Sequence, residues 1–158
     1  MNVASRSVTA YPRAMRTQRQ VVDYSLRRRA LLREVYAGRV GVYEVCDASP
    51  YLKSAAKFHG EPTEVRCPVC RRENLILVHY IYGDELKQSA GQARSRAELP
   101  VLAMTFHEFQ VYVVEVCRGC GWNHLVEQFV LGRGEDATWR GSRQAGGGTS
   151  TAPATGRV

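Results

Sequence analysis

At 158 residues the chain has the length of one domain, and its formal charge of +7 is concentrated in residues 1–34, where eight arginines face only Asp23 and Glu34. No stretch approaches the roughly 20 apolar residues of a membrane-spanning helix, which argues against a membrane partner. The opening MNVASRSVTA lacks the charged start, apolar middle and cleavage site of a secretory signal, so a cytoplasmic protein with reduced thiols is expected.

Residues 1–16 show no periodicity and contain Pro12; disorder is expected there, and Met15 is an alternative start of translation. Residues 17–62 read as a basic helical segment. Thr17 is a plausible N-cap, Val22, Leu26 and Ala30 mark an apolar stripe with Val21, Leu32, Val35 and Tyr36 alongside, and Gly38 suits the exit. Arg27, Arg28, Arg29 and Arg33, with Arg19 before them, occupy the polar side. Val40 to Cys46 reads equally as a helical turn or as extended chain. From Ser49 to Phe58 a second helix is signalled by a capping serine, Pro50 at the first position and Gly60 at the exit, with Tyr51, Leu52, Ala55, Ala56 and Phe58 as its packing surface.

After Pro62 the pattern changes to strands. Leu75–Tyr82, Phe109–Val116 and Trp122–Leu131 are strand-length apolar runs, expected to form a three-stranded antiparallel sheet within a unit spanning 63–131. The polar stretch 85–98 is expected to be a mobile insertion, and 101–105 either opens a strand or makes a short helix. Residues 132–158, rich in Gly, Ser, Thr and Ala, cannot offset the entropy of ordering and are expected to be a disordered tail. The fold class is therefore α+β: N-terminal helices, then a small sheet, with disordered ends.

The strongest signal is Cys67-Pro-Val-Cys70 with Cys117-Arg-Gly-Cys120, separated by 46 residues. Each CxxC turn points two sulfurs into one loop whose amides can donate to thiolates, and two such turns close a tetrahedral site. Four sulfurs leave no open position, so one structural Zn2+ ion is the expected cofactor, with a single iron or thiol redox chemistry as alternatives. Cys46 is the odd cysteine; a small buried hydrophobe is its commoner role, against replacing one ligand or forming a second site with His59. His124 either donates to a thiolate or lies on the strand surface, while His79 and His107 read as packed side chains. Tyr80, Tyr82, Phe106, Phe109, Tyr112, Trp122 and Phe129 suit either a base-stacking platform or the core, and Trp122, beside its knuckle, is the best candidate for exposure. No phosphate-binding glycine loop, HExxH helix or hydrolytic triad is present, so neither an enzyme nor a small-molecule substrate is expected.

The stretches RTQRQVVDYSLRRRALL, VCDASPYLKSAAKFHGE, CPVCRRENL and VEVCRGCGWNHL resemble an uncharacterised family of small actinobacterial proteins that carry a domain of unknown function. More broadly the two knuckles resemble the zinc ribbons of transcription and translation proteins, many of which carry CPxCG twice; here CRGCG fits, and the first knuckle has Arg71 where glycine is usual. The resemblance implies a metal-binding cytoplasmic protein. Together with the arginine block it points to a non-enzymatic adaptor whose Arg19, Arg27, Arg28, Arg29, Arg33 and Trp122 meet nucleic acid, or a nucleic-acid machine such as RNA polymerase or the ribosome. A redox protein and a structural protein-interaction module remain as alternatives.

Overall fold

The computed structural model describes residues 18–134. The expectations for 1–16 and the tail beyond 134 lie outside these residues. The elements are β1 (Arg19–Asp23), α1 (Ser25–Tyr36), α2 (Val42–Val45), α3 (Pro50–His59), β2 (Glu61–Arg66), β3 (Asn74–Tyr82), a kinked 3-10 segment (Asp84–Ser89), β4 (Ala93–Arg94), α4 (Leu99–Thr105), β5 (Phe109–Val116) and β6 (Asn123–Leu131). The architecture is α+β around one antiparallel sheet of order β1-β6-β5-β3-β2, with β4 beside β3. The three expected strands form its centre; β1, β2 and β4 enlarge it to six.

The N-terminal segment differs from its expected helix. Val21 and Val22 are β-branched and suit a strand, and Asp23 accepts the Ser25 N–H through Oδ1 at 2.6 Å, a local bond that competes with helix until one residue later. Arg19–Asp23 therefore pairs with β6, and α1 is only 12 residues long. Only part of the expected apolar set turns inward. Leu32 is buried with Leu31 and Val35 packed beside it, whereas Leu26 is 72% exposed and Val22 42%. Gly38, in the left-handed region at φ 72°, ends the helix as expected.

The α3 signals match the structure: Ser49 accepts the Leu52 N–H at 3.2 Å, and Pro50 opens the helix. Its packing side is narrower than expected. Ala56 is buried against Val78 and Val116 with Leu52 and Ala55 alongside, while Tyr51 and Phe58 face solvent. Val42–Val45 is one turn of helix, and residues 99–105 form α4. The stretch 85–98, expected to be a mobile insertion, carries defined structure: Leu86 is buried in the core and β4 pairs with β3.

Side-chain alternation divides the packing between the two sheet faces. Leu75, Leu77 and Ile81 of β3 point to the side holding α1 and α4; Ile76, Val78 and Tyr80 point to the side holding α3. The first face carries the main core, with Phe109, Val111, Val113, Phe129 and Leu131.

Candidate metal centre

Both knuckles are built by the same backbone bonds. The Cys67 N–H donates to the Glu73 carbonyl at 2.8 Å and the Arg71 N–H returns to the Cys67 carbonyl at 3.1 Å. In the second turn Cys117 N–H meets the Trp122 carbonyl at 2.8 Å and Gly121 N–H meets the Cys117 carbonyl at 2.9 Å. Gly121 sits at φ 90°, and a Cβ there would approach the Cys46 carbonyl at 2.7 Å, so this knuckle needs glycine. Arg71 holds the equivalent left-handed conformation, φ 57°, without being glycine. The departure from the usual motif thus keeps the turn.

The β3–β5 pairing closes the gap of 46 residues by setting Ile76 opposite Val116, which brings the ends of the two knuckles together. Cys67, Cys70, Cys117 and Cys120 lie with their sulfurs within 4.8 Å of one another; among the described residues this is the one such group of three or more His, Cys, Asp or Glu. Cys67 Sγ is 3.6 Å from Cys120 Sγ, and Cys70 Sγ is 3.7 Å from Cys117 Sγ. A tetrahedral ion bound to sulfur at about 2.3 Å needs sulfurs about 3.8 Å apart, so the thiols fit such an ion closely. This group could hold a metal ion.

The surroundings treat the thiols unequally. Burial pushes Cys67 and Cys120 up to about 12, against the backbone amides that reach their sulfurs. At Cys70 burial also raises the pKa, but amide bonds from Arg72 and Glu73, with the Cys117 and Cys67 thiols, outweigh it and bring the group down to about 6. Trp122 N–H points at Cys120 Sγ across 3.4 Å. An ion here would replace protons at Cys67 and Cys120 and find Cys70 already ionised at neutral pH.

Around the sulfurs lies a second core of Leu32, Val45, Leu75 and Trp122. Two further bonds tie the N-terminal half to the knuckles: Tyr36 Oη donates to the Pro68 carbonyl at 2.7 Å, and Ala48 N–H to the Gly121 carbonyl at 2.9 Å. Cys46 is half-buried, with its Sγ 3.7 Å from Cys120 Sγ, so it packs here as expected and touches a ligand sulfur while standing outside the group of four. His59 lines a groove on α3 instead of facing Cys46. His124 meets the Leu125 carbonyl through Nδ1 at 2.6 Å and stacks on Trp122, and His79 is buried.

Of the residues expected at an interface, Trp122 is interior and Arg28 is partly buried. Trp122 is fully buried, and its Nε1–H donates to Glu115 Oε1 at 2.8 Å. The same oxygen accepts from Arg28 Nε at 2.6 Å, so Arg28 serves a buried carboxylate and is withdrawn from the outward set. The Trp122 indole finds its partner inside because Glu115, on the inner face of β5, is fully buried. Sequence reading passes over Glu115 as an ordinary strand residue, and the one available signal is a carboxylate in an otherwise apolar strand. Arg27, Arg29 and Arg33 are exposed, with the Arg27 guanidinium 5.6 Å from the Tyr24 ring centre. Arg19 pairs with Glu108 at 3.4 Å. No helix among the described residues is long and apolar enough to cross a membrane.

The chain is 58% identical over 132 residues to the uncharacterized protein Rv0049 of Mycobacterium tuberculosis (strain ATCC 25618 / H37Rv), an alignment covering 83% of this chain and 93% of the relative. It matches the uncharacterized protein Mb0050 of Mycobacterium bovis to the same extent. No solved structure matches the chain. A family model fits residues 15–145, which takes in both knuckles and all of the sheet, and the chain thus belongs to the family of unknown function DUF5318.

Proposed function

We propose that the protein is a non-enzymatic adaptor in which one zinc ion fixes the fold and the basic helix α1 binds nucleic acid, alone or as part of a transcription or translation machine. Zinc is the ion that four thiolates in a closed tetrahedron suit best, since it needs no open position and no redox partner. The observation that carries the reading is the outward set Arg27, Arg29 and Arg33 on a helix anchored to the metal centre through Leu32 and Tyr36. Arginines so placed give phosphate contacts that do not depend on sequence and weaken steeply with salt.

The test is binding of the full chain to RNA and to DNA across a salt series. The triple variant R27Q/R29Q/R33Q is expected to bind more weakly to every sequence, and to flatten the slope of log affinity against log salt by about one for each phosphate no longer neutralised. If the wild-type protein ignores both nucleic acids at low salt, direct binding is refuted. Co-purification with RNA polymerase or ribosomes in gentle salt then decides for a machine.

A redox reading draws on one observation, the Cys46 sulfur in contact with Cys120. Elemental analysis and a visible spectrum separate the two: a colourless protein with one zinc supports the adaptor, and a sulfur-to-iron absorption band supports electron transfer.

A further inference from the structure

The helix α3 is built inside out. An amphipathic helix ordinarily turns its large aromatics to the core, yet here Leu52, Ala55 and Ala56 meet the sheet, while Tyr51 is 87% and Phe58 71% exposed. Both rings stand over a groove of about 360 Å³ between α3 and the strands β3 and β4, with Tyr80 and Arg94 across from them. That volume falls within the range of roughly 300–1,000 Å³ typical of ligand sites. Past Tyr80 the same sheet face continues into Tyr82 and Tyr112, whose rings meet edge to face at 5.3 Å.

We propose that this groove and the neighbouring tyrosines bind the unpaired bases of single-stranded nucleic acid. The proposal rests on the nucleic-acid reading above and adds which form is bound and by which face. Aromatic rings accept any base by stacking, so such a surface tolerates sequence but demands that bases be out of a duplex. Tyr51 and Phe58 are seven residues apart, about 10.5 Å along the helix, or three stacking intervals of roughly 3.5 Å: room for two bases. Charge selects the same partner. The groove lining includes no carboxylate, α3 carries Lys53 and Lys57 and no acidic residue, and the Lys57 ammonium lies 5.2 Å from the Phe58 ring centre; Arg94, which also lines the groove, is ion-paired with Glu98 at 3.4 Å. A proline-rich peptide would also suit aromatic walls, but it offers nothing to a cationic rim.

The lining lies on the sheet face opposite the one that anchors α1, which makes the two contributions separable. The experiment measures anisotropy of the full chain with a labelled oligouridylate, an RNA duplex, uridine monophosphate as competitor and a proline-rich peptide. Y51A/F58A is expected to weaken oligouridylate binding roughly 30-fold while leaving duplex affinity within about twofold. Because both side chains are exposed, the variant should melt like the wild type, which circular dichroism checks. R27Q/R29Q/R33Q should weaken both nucleic acids. Unchanged oligouridylate affinity in Y51A/F58A would overturn the groove and leave the α1 reading standing. Loss in Y51A/F58A with none in the arginine variant would do the reverse. Wild-type preference for the peptide, or equal affinity for the mononucleotide and the oligomer, would also overturn the proposal.

Discussion

Cys117→Ser is expected to unfold the protein at neutral pH, as is removal of the metal by a strong chelator. Structural zinc contributes on the order of 10 kcal/mol in small domains, comparable with the entire net stability of about 5–15 kcal/mol that a domain possesses. Here the loss would spread beyond the knuckles, because Cys67 and Cys117 are themselves members of the core that holds Leu32 of α1 and Val45 of α2. Circular dichroism should show collapse of structure in C117S and in the chelated wild type, with recovery of the latter on adding Zn2+. C46S is the control: its sulfur stands outside the group of four, so it should retain one metal per chain. Acid should act in the same direction. An ion bound here would have to displace protons from Cys67 and Cys120, both raised to about 12, so affinity should fall as pH is lowered; below about pH 6, where Cys70 also takes up a proton, the fall should steepen. A metal-free protein with the native melting temperature would refute the clamp.

The second large effect concerns neighbours in sequence that the fold places in opposite surroundings. Arg28→Ala removes the cation bonded to Glu115, a carboxylate with no exposure at all, and should cost about 3 kcal/mol, lowering the melting midpoint by on the order of 10 °C. Arg29→Ala, one residue on and exposed, should change stability by less than about 0.5 kcal/mol yet reduce nucleic-acid affinity. Chemical denaturation and the binding assay, run on both variants, give a crossed result if the assignment is right. Equal stabilities would show that the Arg28–Glu115 bond contributes nothing to the fold.

Features with strong local chemistry were the readable ones. The CxxC turns announced themselves by spacing, the runs Leu75–Tyr82 and Phe109–Val116 by apolar β-branched content, and α3 by Ser49-Pro50. Features decided by distant partners were not. Val21 and Val22 belong to β1 only because the edge of β6 is free to receive them, and a helix-forming context masked that. Trp122 looked like a surface residue beside a turn because its acceptor, Glu115, stands across the knuckle and is itself hidden. The aromatics could not be sorted by type: Phe109, Phe129 and Trp122 entered the core, whereas Tyr82 reached the open face, a division set by strand register.

The pairing of β1 with β6, Arg19 opposite Val130, has a consequence for how the chain is made. A ribosome delivers Arg19 long before Val130, and the first CxxC long before the second, so neither the edge of the sheet nor the group of four sulfurs can close until its later partner has been made. Until the last strand emerges, the early valines and the first pair of thiols wait in the open.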